Sequence, residues 1–193
     1  MKKIYAFDFD GTLTTKDTLI EFIRYAKGSM DLGLGFLRYA HLLVLMKLGL
    51  YPNYKAKQKV FAYFFKDTTL DDFNALCKEF AASSSNLLRP NAIEAIDLAT
   101  KEGSEVLIVS ASIDNWVQPF FPQVKVLGTQ IEVIDGKLTG RFMTKNCYGQ
   151  EKVNRILSLR PNRQEYHLTA YGDSRGDREM LAFADESYFK PFR

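Results

Sequence analysis

A chain of 193 residues with 46% apolar and 25% charged residues can bury a full core, and its composition is that of an ordinary globular protein, not a disordered or fibrous one. A net charge of +3 without a dense Lys/Arg stripe argues for no nucleic acid partner. Cys77 and Cys147 lie far apart without C-x-x-C spacing and are expected as free thiols of a cytoplasmic protein, and Met1-Lys2-Lys3 leaves no room for a signal peptide before the first apolar run.

That run starts at Ile4 and predicts a buried strand of about five residues. It leads into Asp8-Phe9-Asp10-Gly11-Thr12-Leu13-Thr14. In extended backbone, residues i and i+2 share a face, so Asp8 and Asp10 are expected to point into one space. Like charges that close call for a cation or a proton. Gly11 permits a sharp turn that brings N–H groups near an anion. Taken alone, the string is either a solvated loop or a hard-metal site facing a phosphate.

Thr18 and Glu21 form a T-x-x-E capping box at a helix start that Asp17 also marks. Residues 15–88 show no strand alternation and predict helices over 18–27, 31–49, 54–65 and 69–84, separated at Gly28, Pro52-Asn53 and Lys66-Asp67. The aromatic set Phe61, Tyr63, Phe64 and Phe65 is expected to be core between them. Leu32 to Leu50 is strongly apolar, but Arg38, His41 and Lys47 interrupt it, with Arg38 and Lys47 on opposite sides of a helix. Two internal cations make a membrane span costly. A packed helix is expected, with an interfacial helix making peripheral membrane contact through residues 32–50 as the alternative.

Alternating strands and helices resume at Pro90. A helix capped by Asn91 and Glu94 is expected to stop at Gly103, followed by a strand over Glu105–Ser110 that is apolar on both faces. Next come a short helix 114–118, a strand Val124–Leu127, and a hairpin of Ile131–Ile134 and Lys137–Phe142 around Asp135-Gly136. Helix Gln150–Leu159, strand Leu168–Tyr171, helix 177–183 and strand Ser187–Phe189 complete the series. The pattern implies an α/β fold, a doubly wound (Rossmann-like) parallel sheet core with an inserted all-helical lobe. Such sheets bind ligands at the carboxyl ends of their strands, where Asp8, Ser110 and Asp173 all fall. Alone, Ser110 reads as a helix cap and Lys152 as a surface lysine.

Together, Asp8-x-Asp10, Ser110, Lys152 and Gly172-Asp173-Ser174-Arg175-Gly176-Asp177 resemble, in order, the four motifs of the haloacid-dehalogenase-like (HAD) hydrolases. These are mostly phosphatases that pass through an aspartyl-phosphate. The resemblance spans almost the whole chain outside the helical lobe. It implies a core of residues 1–14 and 89–193 and a type 1 helical cap of residues 15–88. It also implies Asp8 as nucleophile and Asp10 as general acid/base. Gly11, Thr12, Ser110, Ala111 and Lys152 would surround the phosphoryl group. Mg²⁺ would be bound by Asp8, Asp173 and the backbone carbonyl of Asp10, with Asp177 and Ser174 in support. Asp17 and Ser112 are candidates to touch substrate, Asp17 because phosphoserine phosphatases carry an acid at that offset.

An acid at Asp10 separates the chain from P-type ATPases, so turnover of the intermediate is implied. Ser110-Ala111-Ser112 and Gly176 depart from phosphoserine phosphatases, which show Ser-Gly-Gly and an Asn there; Ser174 or Arg175 would have to replace the amide. Cys147-Tyr148-Gly149-Gln150-Glu151-Lys152 resembles the lysine motif of the phosphoserine-phosphatase-like (IB) subgroup, which has long apolar caps and includes phosphatidylglycerophosphate phosphatases. The implied substrate is a lipid phosphate or a small soluble phosphomonoester. The alternatives are a phosphomutase using the same nucleophile and a non-catalytic module that binds a phospho-ligand or a membrane surface.

Overall fold

The computed structural model describes residues 1–193, apart from the side chain of Lys47. In chain order it has β1 (Lys2–Phe7), α1 (Thr18–Arg38), α2 (Ala40–Lys47), α3 (Asn53–Phe65), α4 (Leu70–Ser83), α5 (Pro90–Lys101) and β2 (Glu105–Ile113). There follow α6 (Asp114–Val117), β3 (Lys125–Thr129), β4 (Ile131–Ile134), β5 (Lys137–Phe142), α7 (Gln150–Leu159), β6 (Tyr166–Gly172), α8 (Arg178–Phe183) and β7 (Glu186–Phe189).

Successive side chains of β1 serve opposite faces of the sheet. Ile4 and Ala6 pack with Leu107, Val109, Leu168 and Ala170 on the face that also buries Ile156 of α7 and Met180 of α8. Phe7 joins Ile108 and Ile96 of α5 on the other face. Coverage of both faces explains why these strands are apolar without alternation. The strands run parallel in the order β3-β2-β1-β6-β7, so the sheet is doubly wound around β1. The β4–β5 hairpin forms a separate antiparallel pair; its turn uses Asp135 (φ 50°) and Gly136 (φ 73°), as a two-residue hairpin requires.

Helices α1 to α4 lie between β1 and α5 and share the second core. Phe22 of α1 meets the rings of Phe65, Phe73, Phe80 and Trp116 at centroid distances of 5.1 to 5.6 Å. Phe61, Phe64 and Phe65 are buried as expected, while Tyr63 faces outward under the guanidinium of Arg38. The loop between α3 and α4 is stitched to the hairpin. Asp67 N–H donates to the Leu138 carbonyl (2.8 Å), Leu138 N–H to that of Thr68 (2.9 Å), and Leu70 N–H to that of Gly136 (2.8 Å).

Several boundaries differ from the sequence reading. Gly28 breaks α1 with φ 83° and ψ 166°, as expected, but the helix anticipated over 31–49 divides at Tyr39. The opposed placement of Arg38 and Lys47 therefore does not arise from one helix, and the Lys47 side chain lies outside the described residues. Helix α5 starts two residues early, with Arg89 as its cap and Pro90 in its first turn, so Asn91 is not the N-cap. Strand β2 continues past Ser110 to Ile113, with a shift of register against β3 between Val109 and Ile113.

Candidate active site

Asp8 follows β1 directly, and its N–H donates to the Tyr171 carbonyl of β6 (2.9 Å). It shares parity with Ile4 and Ala6, which sends its side chain toward the face covered by α7. There Lys152, in the first turn of α7, donates to Asp8 Oδ1 (2.5 Å), Asp177 Oδ1 (2.6 Å) and the Val109 carbonyl (2.7 Å). Lys152 is 1% exposed. Burial alone would lower its pKa, but Asp8 and Asp177 together raise it above that of free lysine, so the ammonium stays charged. Burial also pushes Asp8 up to about 7, helped by the charges of Asp177 and Asp10 and opposed by Lys152. Asp177 goes the other way. Burial would raise it, but Lys152 and donors from Ser174 hold it below the usual carboxylate range.

The chain leaves extended geometry at once after Asp8. Phe9–Leu13 forms one wide turn in which Gly11 has φ 84°. A Cβ on Gly11 would sit 2.6 Å from Asp173 Oδ2, so both the backbone conformation and the close approach require glycine. Asp10 therefore reaches the site from the turn rather than by strand alternation. Its Oδ1 accepts from the N–H (2.7 Å) and hydroxyl (2.6 Å) of Thr18, and its Oδ2 from the Ser112 hydroxyl (2.5 Å). Trp116 Nε1 in turn donates to the Thr18 hydroxyl (3.2 Å). Thr18 is thus committed to Asp10 and is not the cap of α1. That role falls to Asp17, whose Oδ1 accepts from the N–H groups of Leu19 (3.0 Å) and Ile20 (3.4 Å). Glu21, the other half of the anticipated capping box, pairs with Arg24.

Thr12 donates its hydroxyl to Asp8 Oδ2 (3.1 Å), and the Ser110 hydroxyl accepts from Ser112 N–H (3.0 Å). The Ala111 carbonyl accepts from Lys57 Nζ (2.7 Å), a half-buried cation of α3 absent from the sequence reading. Burial lowers the Lys57 pKa, opposed by Asp10 and Asp17, which it faces. A signal for it existed: Lys57 lies at i−4 and i−7 from buried Phe61 and Phe64, on the inner stripe of its helix. Ser174 donates its hydroxyl to Asp177 Oδ2 (2.8 Å) and caps the following turn. At Gly176 a Cβ would lie 2.5 Å from the Tyr148 ring, so the ring fills the space that an asparagine side chain would need.

Oxygens of Asp8, Asp173 and Asp177 all lie within 4.8 Å of one another. Asp173 Oδ1 is buried without a hydrogen-bond partner, and Asp173 Oδ2 is paired with the guanidinium of Arg193, also absent from the sequence reading. An all-oxygen donor set with an orphaned carboxylate oxygen fits a hard divalent cation such as Mg²⁺. The Asp10 side chain, turned to Thr18 and Ser112, is outside that cluster.

The family model for haloacid dehalogenase-like hydrolases matches residues 5–182. The chain belongs to that family. The hydrolase is 34% identical over 198 residues to Protein CicA of Caulobacter vibrioides, an alignment covering 98% of this chain and 86% of the relative. A protein of unknown function from Bordetella pertussis Tohama I has a similar structure, with TM-score 0.81, 18% identity, and 97% of this chain and 89% of that one covered. A substrate-bound phosphoserine phosphatase is similar with TM-score 0.63 and 21% identity over 98% of this chain and 86% of that one. A phospho-aspartyl intermediate analogue of phosphoserine phosphatase gives TM-score 0.62, 22% identity, and 96% and 85% coverage. At these identities the structural likeness concerns the fold.

Proposed function

We propose that the hydrolase cleaves phosphomonoesters through a phosphoenzyme on Asp8, with Mg²⁺ as cofactor. The observation that carries this reading is the pairing of a sealed carboxylate, Asp8, with a permanently charged Lys152, beside a second acid that is held separately. A carboxylate oxygen of Asp8 attacks phosphorus while the bond from phosphorus to the leaving oxygen breaks. Asp10 gives that oxygen its proton. Asp10 then takes a proton from a water that attacks the same phosphorus, which releases inorganic phosphate and restores Asp8. Thr18 and Ser112 keep the Asp10 carboxyl aimed for both transfers. This makes Ser112 a positioning residue rather than a substrate contact. Lys152, with Ser110, Thr12 and backbone groups of Gly11 and Ala111, balances charge on the phosphoryl oxygens. Asp8, Asp173 and the Asp10 carbonyl would hold Mg²⁺, which when bound offsets the repulsion between carboxylate and phosphate.

Residues 15–88 act as a cap over this site in the same reading. Lys57 and Asp17 line the leaving-group side and favour an ester whose alcohol carries a second anionic or polar group. Lipid phosphates and soluble phosphomonoesters both meet that description. The test is phosphate release from phosphoserine, sugar phosphates, nucleotides and phosphatidylglycerophosphate in mixed micelles, with Mg²⁺ and with EDTA, for the wild type and Asp8→Asn. Metal-dependent release that Asp8→Asn abolishes is expected, without any bisphosphate activator. Release that survives the substitution would overturn the assignment of the nucleophile.

A further inference from the structure

The outer face of the helical segment has no role in the chemistry above, yet its composition is unusual. The second half of α1 and residues 40–46 of α2 carry apolar side chains on two sides, interrupted outward by Asp31, Arg38 and His41. Inward, Leu32 and Leu42 are buried, and Gly35 is so close to α3 that a Cβ would come within 2.3 Å of the Phe64 ring. Outward, Met30, Leu34 and Leu37 form an i, i+4, i+7 row, and Val44 and Leu48 an i, i+4 pair. These five and Leu50 are between 54% and 80% exposed. Helices apolar all round normally lie in a core or against lipid, and a contiguous apolar surface marks a contact site.

Charge selects the partner. Between Met30 and Lys66 the sequence has a single acid, Asp31, against six cations: Arg38, Lys47, Lys55, Lys57, Lys59 and Lys66. Lys57 turns to the site, while Arg38, Lys55 and Lys59 are exposed, Arg38 following Leu37 on α1 and Lys59 lying over the ring of Tyr51. A second copy would bring the same positive face and repel it. An anionic lipid surface satisfies both features, with headgroups for the cations and acyl chains for the leucines. Among the described residues no helix is long and apolar enough to cross a membrane, so the contact is peripheral.

We propose that the face formed by Met30, Leu34, Leu37, Val44, Leu48 and Leu50, with Arg38, Lys55 and Lys59, docks on an anionic lipid bilayer. Helix α3 then links the docked surface to the site, since it carries Lys55 and Lys59 outward and Lys57 inward. The docking is independent of the reaction assigned to Asp8.

The test is flotation of the wild-type chain, in EDTA so that no metal-dependent turnover occurs, with vesicles of phosphatidylcholine alone or of equal parts phosphatidylcholine and phosphatidylglycerol. Binding to the anionic vesicles only, weakened by salt, is expected. Leu37→Glu with Leu48→Glu should lower it by at least about tenfold, because two inserted leucines are lost. Lys55→Gln with Lys59→Gln provides a variant that leaves the leucines intact, and each lost cation should weaken binding by about fivefold. Both pairs lie on exposed side chains, and an unchanged melting curve verifies the fold. Absence of enrichment on anionic vesicles, or enrichment indifferent to the leucine pair, overturns the proposal. So does a concentration-dependent dimer that the leucine pair dissolves, which would give the face to a second copy.

Discussion

Replacing Lys152 by Met keeps the aliphatic stem and removes a buried cation that donates to Asp8 (2.5 Å), Asp177 (2.6 Å) and the Val109 carbonyl (2.7 Å). Two carboxylates then face each other inside the protein without a counter-charge. Breaking a buried ion pair from one side costs about 3–5 kcal/mol. That is a large part of a total stability of about 5–15 kcal/mol. At about 2–4 °C per kcal/mol for a chain of this size, the melting temperature should fall by roughly 6–20 °C. The sign of the pH dependence follows from the same groups. In the wild type Lys152 is held above the free value of 10.5, so its contribution is fully present below that pH and is lost only as pH climbs past it. In the variant Asp8, already pushed up to about 7 by burial, loses its cation and takes up a proton more readily. The deficit should therefore be largest above neutrality and shrink as pH falls through it. Urea denaturation of both proteins in EDTA, on either side of neutral pH, measures this. Asp177→Asn added to Lys152→Met should recover part of the loss. A deficit under about 1 kcal/mol, the scale of an exposed pair, or one that ignores pH, would refute the reasoning.

Lys57→Met should raise KM by about ten- to hundredfold, the scale of one charge-assisted hydrogen bond, with a smaller effect on kcat. Because burial lowers the Lys57 pKa, the wild-type KM should rise with pH below the ordinary lysine range, and the variant should lose that rise; equal pH profiles would remove Lys57 from the substrate side. Arg193→Ala frees Asp173 Oδ2 and should tighten Mg²⁺ binding, followed by calorimetry without substrate, by about fivefold; unchanged affinity would show that the guanidinium does not compete with the cation. Gly176→Asn should destabilise the fold by about 1–3 kcal/mol through its clash with Tyr148, and Tyr148→Ala should relieve that loss; thermal melts of the single and double variants decide it.

The sheet was legible because its strands are short apolar runs closed by turn residues, and Asp8 and Asp173 directly follow such runs, whereas Ser110 lies inside β2 and Lys152 in the first turn of α7. What escaped depends on contacts distant in sequence. Thr18 and Glu21 satisfy a local capping rule, but Asp10 claims Thr18 and leaves the cap to Asp17. The i, i+2 argument put Asp8 and Asp10 on one face of a strand, whereas the backbone turns between them and carries Asp10 to Thr18 and Ser112. The helix over 31–49 was read as one because the segment has no proline and its glycines, Gly33, Gly35 and Gly49, do not fall at the break, so nothing local marks Tyr39. Gly176 looked like a missing amide until the ring of Tyr148, far away in sequence, filled its space. Arg193 carries no local signal at all.

The hydrogen bonds between the α3–α4 loop and the β4–β5 hairpin bear on how a ligand gets in and out. Helices α1 to α4 join the strands through two chain connections, which lie side by side where Thr15 N–H donates to the Leu87 carbonyl (2.8 Å). The hairpin adds a third attachment, reinforced where Phe142 N–H donates to Gln58 Oε1 (3.0 Å). With the bonds from Lys57 to the Ala111 carbonyl and from Asn115 to Asn74, these attachments oppose a free swing of the helices. Mechanically the hairpin travels with α3, although in sequence it belongs to the segment after β3. Gly28 and Tyr39, where the helices are already interrupted, are the points at which this segment can yield without breaking regular helix. Slow amide exchange in the hairpin should rise and fall with that of α3, as if the two were one element.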